Sequence, residues 1–188
     1  MTPEAPEVGI KGAAFYSLLA AIEQQEGTDV LAQILARLPK EQATALRAKS
    51  LSVTRFHPIG AYRALVHAVA DEIDDAAVRR LSAGAVERDM NTLYRAVLRA
   101  LSANTVFGQT ARLFGLFYEG GVVDVLEHRP GFGCVRYSAC YGFDAMVWND
   151  YAGGSESVLA LSGARGIKMH IIEGGVGPTM LAEYRWNA

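Results

Sequence analysis

Apolar residues recur at helical spacing along the first part of the chain and at strand spacing towards its end. Phe15, Leu18, Leu19 and Ile22 follow i, i+3, i+4, i+7, one face of an amphipathic helix that Gly27 stops. Thr28 then reads as the N-cap of a second helix, with Val30, Leu31, Ile34, Leu35 and Leu38 on one face and Pro39 ending it. A weaker third helix is expected over 40–49. Pro58 suits the first turn of the next helix, where a missing N–H costs nothing, and Ile59, Tyr62, Val66, Val69 and Ile73 mark that helix's face. Asp74 and Asp75 open another helical region whose apolar set is Val86, Met90, Leu93, Val97 and Leu101; Arg88, Arg95 and Arg99 lie on its other faces. A further helix is expected over 103–118, with Gly108 and Gly115 allowing close packing at some loss of helicity.

The pattern changes at Gly120-Gly121. VVDVLEH and CVRYSAC are rich in β-branched and aromatic residues and flank RPGFG, which predicts a hairpin. A helix is expected over 143–161, interrupted by Gly153-Gly154, followed by strands at IKMHII and TMLAEYRW. Helices followed by β-β-α-β-β predict an α+β fold, with N-terminal helices and a C-terminal four-stranded antiparallel sheet. Residues 1–9, with two prolines and two glutamates, read as a flexible tail, and 10–188 as one α+β domain.

Composition narrows the function classes. Of the 188 residues 51% are hydrophobic and 20% charged, as in an ordinary globular protein. A net charge of -2 and a pI near 6.1 leave no basic stripe for nucleic acid. No apolar run suggests a secretory signal or a membrane span, so the expected setting is cytoplasmic, with reduced thiols and no membrane insertion.

Chemistry is sparse. EHRPGFGCVRYSAC gathers His128, Cys134 and Cys140, a cluster that would suit half of a metal site. On one continuous strand both cysteines point to the same face, yet they lie roughly 20 Å apart along it, too far for one zinc ion. The stronger reading is a hairpin with small buried thiols. The chain has no GxGxxG, GxxxxGK[ST], GxSxG or HExxH, and Cys–His chemistry would need Cys134 or Cys140 to meet His128 or His170 in space. His67 sits at the edge of an apolar stripe, where a haem ligand or a locally hydrogen-bonded His are the two readings, the second the stronger. The arginines at 88, 95 and 99 read as a solvated face. Among the aromatics, Tyr94, Phe107, Phe114, Phe117, Tyr137, Tyr141 and Trp148 come from elements that must share a core.

IKG at 10–12, Tyr94-Arg95, FYEGG at 117–121 and GPTMLAEYRW at 177–186 carry a resemblance. The chain resembles a paralogous family of about this length in myxobacteria and, more distantly, a set containing the four-vinyl-reductase domain, the haem nitric-oxide-binding domain and the small TRAPP subunits. The resemblance spans residues 10–186 and implies helices packed on a four-stranded antiparallel sheet, commonly in a dimer. In such domains a small apolar molecule, haem or a partner protein is bound between helices and sheet. Two departures matter. Where vinyl-reductase-like domains carry zinc-binding cysteines, this chain has Ile172 and Met180. The haem-binding Tyr-x-Ser-x-Arg motif is also broken, because Tyr137 and Ser138 are adjacent with no Arg following.

The expectation is therefore a non-enzymatic regulatory or scaffold module with no cofactor and no metal, acting through contacts with a partner protein. It would be a homodimer through its helical face. The alternative is a small-molecule sensor, binding an apolar ligand against Tyr94, Phe114, Tyr137 and Trp148 between helices and sheet.

Overall fold

A computed structural model describes residues 6–89 and 98–187. Helix α1 (Gly12–Glu26) buries Phe15, Leu18, Leu19 and Ile22, the face set by their spacing. Gly27, at φ 95°, ends α1 and stands at the N-cap of α2 (Thr28–Arg37). Thr28 is thus the first helical residue, not the cap, because a glycine makes the sharp turn between the two helices. Helix α3 (Lys40–Arg47) follows Pro39. Pro58 stands at the N-cap of α4 (Ile59–Glu72), one position earlier than expected, because residues 56–58 form a short strand. Helix α5 (Asp75–Asp89) is capped by Asp74, whose Oδ1 accepts from Ala77 N at 2.6 Å. Its buried stripe is Ala77, Val78, Leu81, Ser82 and Ala85. The apolar set expected there differs: Met90, Leu93 and Val97 lie outside the described residues, and Leu101 is exposed.

The helix expected over 103–118 is two, α6 (Ala103–Phe107) and α7 (Thr110–Phe117), broken at Gly108-Gln109. A Cβ on Gly108 would meet the His128 ring at 3.3 Å, so that glycine does permit a close approach; nothing lies within 4 Å at Gly115, where close packing was expected. The last helix, α8 (Ala145–Leu161), runs unbroken through Gly153-Gly154. These glycines do not interrupt it. A Cβ on Gly153 would stand 2.0 Å from the Arg79 carbonyl oxygen, so the glycine lets α5 and α8 pack backbone against backbone.

Two sheets hold the helices. The four-stranded sheet has the antiparallel order β4-β5-β7-β6: β4 (Val122–Arg129), β5 (Phe132–Ser138), β6 (Arg165–Gly174) and β7 (Met180–Asn187). This is the expected α+β arrangement. The hairpin is tighter than RPGFG suggested: Arg129 pairs with Phe132 across Pro130-Gly131, and Gly131 takes the positive φ of 79° that this turn needs. The inner face of β5 and β7 buries Val135, Tyr137, Met180, Ala182, Tyr184 and Trp186.

The second sheet has the order β2-β1-β3, from β1 (Gly9–Lys11), β2 (Phe56–Pro58) and β3 (Tyr118–Glu119). It ties residues 8–11 into the fold, whereas the tail was expected to run through residue 9. Val8 is buried, its N–H donates to the Tyr141 carbonyl, and its carbonyl accepts from Ile59 N, both at 2.9 Å. Among the described residues no helix is long and apolar enough to cross a membrane.

Candidate functional site

Where α7, β3, β5 and α8 meet, six aromatic rings pack into one cluster. Phe114 comes from α7, Tyr118 from β3, Tyr137 from β5, Phe143 from the loop before α8, and Trp148 and Tyr151 from α8. Neighbouring centroids lie between 4.4 Å (Phe143–Trp148) and 6.4 Å (Phe114–Phe143), the ordinary range for contacting rings. Three of the four residues expected to line a pocket, Phe114, Tyr137 and Trp148, are thus together and buried. Tyr94, the fourth, lies outside the described residues. Tyr118, Phe143 and Tyr151 complete the cluster and were not expected in it. Phe117 and Tyr141, expected in the shared core, are exposed instead, and Phe107 packs elsewhere, against Tyr184 and Trp186.

Two polar groups of the cluster pair with each other and a third pairs outside it. The Tyr137 and Tyr151 hydroxyls lie 2.9 Å apart, and Trp148 Nε1 donates to the Gly177 carbonyl at 2.8 Å. Burial pushes the Tyr118, Tyr137 and Tyr151 phenols well above their ordinary range. The rings fill the space between helices and sheet. Two surface concavities lie elsewhere: a groove of about 400 Å³ between α5, α8 and β6, and one of about 550 Å³ along α3.

Behind the cluster sits Asp150, 3% exposed, on the buried face of α8. Tyr62 of α4 donates its hydroxyl to Asp150 Oδ1 at 3.2 Å, and Ser82 of α5 also bonds the carboxyl. No Lys, Arg or His among the described residues pairs with it. Burial pushes its pKa up to about 7, and the two hydroxyls only partly offset that. Asp150 joins three helices and is the residue that motif reasoning missed.

The remaining candidates are scattered. Cys134 points to the outer face of the sheet. Ala139, at φ 54°, turns the chain after β5 ends, so Cys140 enters the core and does not share Cys134's face. Burial pushes the Cys140 thiol up to about 12. His128 contacts Asn104 across 3.3 Å, and His170 lies on the exposed side of β6. Among the described residues no group of three or more His, Cys, Asp or Glu side chains could hold a metal ion. His67 is half-exposed and donates from Nε2 to Asp144 Oδ2 at 2.7 Å, while Asp144 Oδ1 caps α8 by accepting from Met146 N and Val147 N. Arg88 and Arg99 are exposed, and Arg95 lies outside the described residues.

The described histidines and thiols do not fit a haem. A haem iron needs an axial ligand turned into its pocket. None of the four histidines is buried, the Cys140 thiol is held protonated, and six rings occupy the seam between helices and sheet.

No protein-family model matches the chain, and no curated protein matches it. Solved structures do. The Fe(II) unliganded H-NOX protein from K. algicida superposes with a TM-score of 0.70 at 11% identity, covering 95% of this chain and 97% of its own. An H-NOX protein from S. oneidensis, a Fe(II) triple mutant, gives 0.69 at 12% identity with the same coverage. A point mutant of the T. tengcongensis H-NOX gives 0.61 at 10%, covering 95% and 98%. The likeness runs the length of both chains and shows the fold: this chain has the α+β fold of the H-NOX domains.

Proposed function

We propose that the chain is a non-catalytic signalling module of the H-NOX fold, whose input is a small molecule other than haem. The observation that carries the proposal is the six-ring cluster at the helix–sheet seam, walled by apolar faces and holding a few hydroxyls. One of the similar structures was determined to probe the function of haem distortion in the H-NOX family, which supports a bound small molecule as the input of a domain with this fold. Here the residues favour a flat apolar molecule with one or two hydrogen-bonding groups, held against Tyr137 and Trp148 in the space that Phe114 fills.

Because the rings already fill the seam, a ligand must displace one of them. Phe114 is the candidate. Its helix, α7, is only eight residues long and buries Phe114 alone, leaving Ala111, Arg112, Gly115, Leu116 and Phe117 exposed. A short element held by Phe114 and the half-buried Leu113 opens at low cost. Displacing Phe114 would move α7, and its exposed Leu116 and Phe117 would present the signal to a partner protein.

A second reading, a scaffold acting through protein contacts alone, is favoured by the filled core itself. Native mass spectrometry and an absorption spectrum of freshly purified protein separate the two. An adduct lost on denaturation, or an apolar compound that shifts both Trp148 fluorescence and the melting temperature, supports the sensor. A clean apo mass with no response to a broad panel of such compounds rejects it in favour of the scaffold. A Soret band would overturn the exclusion of haem.

A further inference from the structure

Among the described residues the four-stranded sheet buries one face and leaves the other bare, and the strand register sorts the charges of the bare face into rows. Arg129, Phe132, Arg185 and Lys168 are cross-strand partners in one row. Glu127, Cys134, Glu183 and His170 form the next row. A solvated antiparallel sheet is stabilised by opposite charges directly across from each other, and like charges there are destabilising. Here Arg185 stands directly opposite Lys168, and Glu127 and Glu183 both flank Cys134. The compensating contacts run along the strands instead: Arg129 Nε donates to Glu127 Oε1, and an Arg185 Nη to Glu183 Oε2, both at 2.9 Å. Both guanidiniums lie over the Phe132 ring, at 4.6 and 5.1 Å, and keep it from water.

Banding of this kind is self-complementary. A two-fold axis lying along the rows, between the basic and the acidic one, sets each row over the opposite row of a second copy. Arg129 then faces Glu127 of that copy, Arg185 faces Glu183, and Phe132 faces Cys134. We propose that the outer face of the β4-β5-β7-β6 sheet is a homodimer interface, with the basic row of each copy on the acidic row of the other. The expected helical-face dimer has less to support it, since the apolar faces of α1, α4, α5 and α8 are consumed in the core. The sheet face is small. Four strands at about 4.8 Å spacing and eight residues at about 3.3 Å each give roughly 500 Å² of flat area, so the dimer is a weak, salt-sensitive one.

Sedimentation equilibrium of the whole chain at tens of micromolar, in low and high salt, tests this with two variants. R129E/R185E makes both rows acidic, and E127R/E183R makes both basic. Circular dichroism and melting first establish that each is folded. The expected result is a wild-type dimer weakened at least tenfold by high salt, two variants that are monomeric alone, and an equimolar mixture of them that dimerises. The wild-type dimer should also slow alkylation of Cys134. A monomeric wild type overturns the proposal, and so does a dimer that both variants retain. This outcome is independent of any ligand at the aromatic cluster.

Discussion

Replacing Asp150 with Asn keeps the shape of the buried side chain and removes its charge. The amide oxygen can still accept from Tyr62, and the amide N–H groups can donate to Ser82. In the wild type the folded-state pKa is about 7, against an ordinary 3.8, so the native protein holds a proton that the unfolded chain releases near pH 4. A raised carboxyl pKa means that the group does no harm below about pH 4. Stability is then lost from about pH 4, where the unfolded chain gives up its proton, to about pH 7, where the folded protein does, and the penalty is complete above that. Three pK units at about 1.36 kcal/mol each set the full penalty at about 4 kcal/mol. No described cation reduces it, and the helices α4, α5 and α8 that meet at the carboxyl bear it together.

Urea unfolding of the wild type and D150N, followed by tryptophan fluorescence at pH 5, 6, 7 and 8, measures this directly. Taking the difference between the two proteins at each pH cancels every other titrating group. At pH 5 D150N should already be the more stable by about 1.5 kcal/mol. By pH 8 D150N should be the more stable by roughly 4 kcal/mol, or about 8–16 °C in melting temperature for a chain of this size. A difference that does not change with pH would refute the reasoning, as would a wild type more stable than D150N at pH 8.

Three further outcomes follow from packing and capping. G153A should cost about 3 kcal/mol or more in urea unfolding, because its methyl group would force α5 and α8 apart at the Arg79 carbonyl; G115A, with open space around it, should gain up to about 1 kcal/mol. D144A should cost about 1–2 kcal/mol by uncapping α8 and releasing His67. Hydrogen bonds from His67 and Val147 hold Asp144 below the usual carboxylate range despite burial, which opposes them, so its contribution should fade as pH drops below about 4. Titration of native protein with a thiol reagent at pH 8 should modify Cys134 but not Cys140, and denaturation should expose both.

Elements long enough to show a period were legible in the sequence. The faces of α1, α2 and α4 and the strands β4 to β7 fall where apolar spacing puts them, because each is at least eight residues long or alternates cleanly. The three-stranded sheet was not legible. Its strands have three, three and two residues, too few to alternate, and they form only because segments distant in sequence pair. The glycines show the same limit. Gly153 reads locally as a helix breaker, yet its role is set by Arg79, a residue on another helix. Propensity alone cannot separate a glycine that weakens a helix from one that admits a neighbour.

The candidate site divides along the same line. Phe114, Tyr137 and Trp148 were legible as core aromatics because each sits on an element with a clear apolar face. Tyr118 and Phe143 lie in a two-residue strand and a loop, where no periodicity points inward. Asp150 did leave a trace, since it falls between Val147 and Ser157 on the stripe of α8 that also buries Gly153. A motif search passes over it because chemistry is usually sought in neighbouring residues, whereas its hydroxyl partner Tyr62 is 88 residues away. A carboxylate on an apolar helical stripe must be desolvated, and it must then pair with a cation, keep a proton or destabilise the fold. Asp150 has no described cation and keeps its proton up to about pH 7. That makes its stripe position a more informative signal than the His–Cys cluster of the hairpin, whose members the fold sends to different faces.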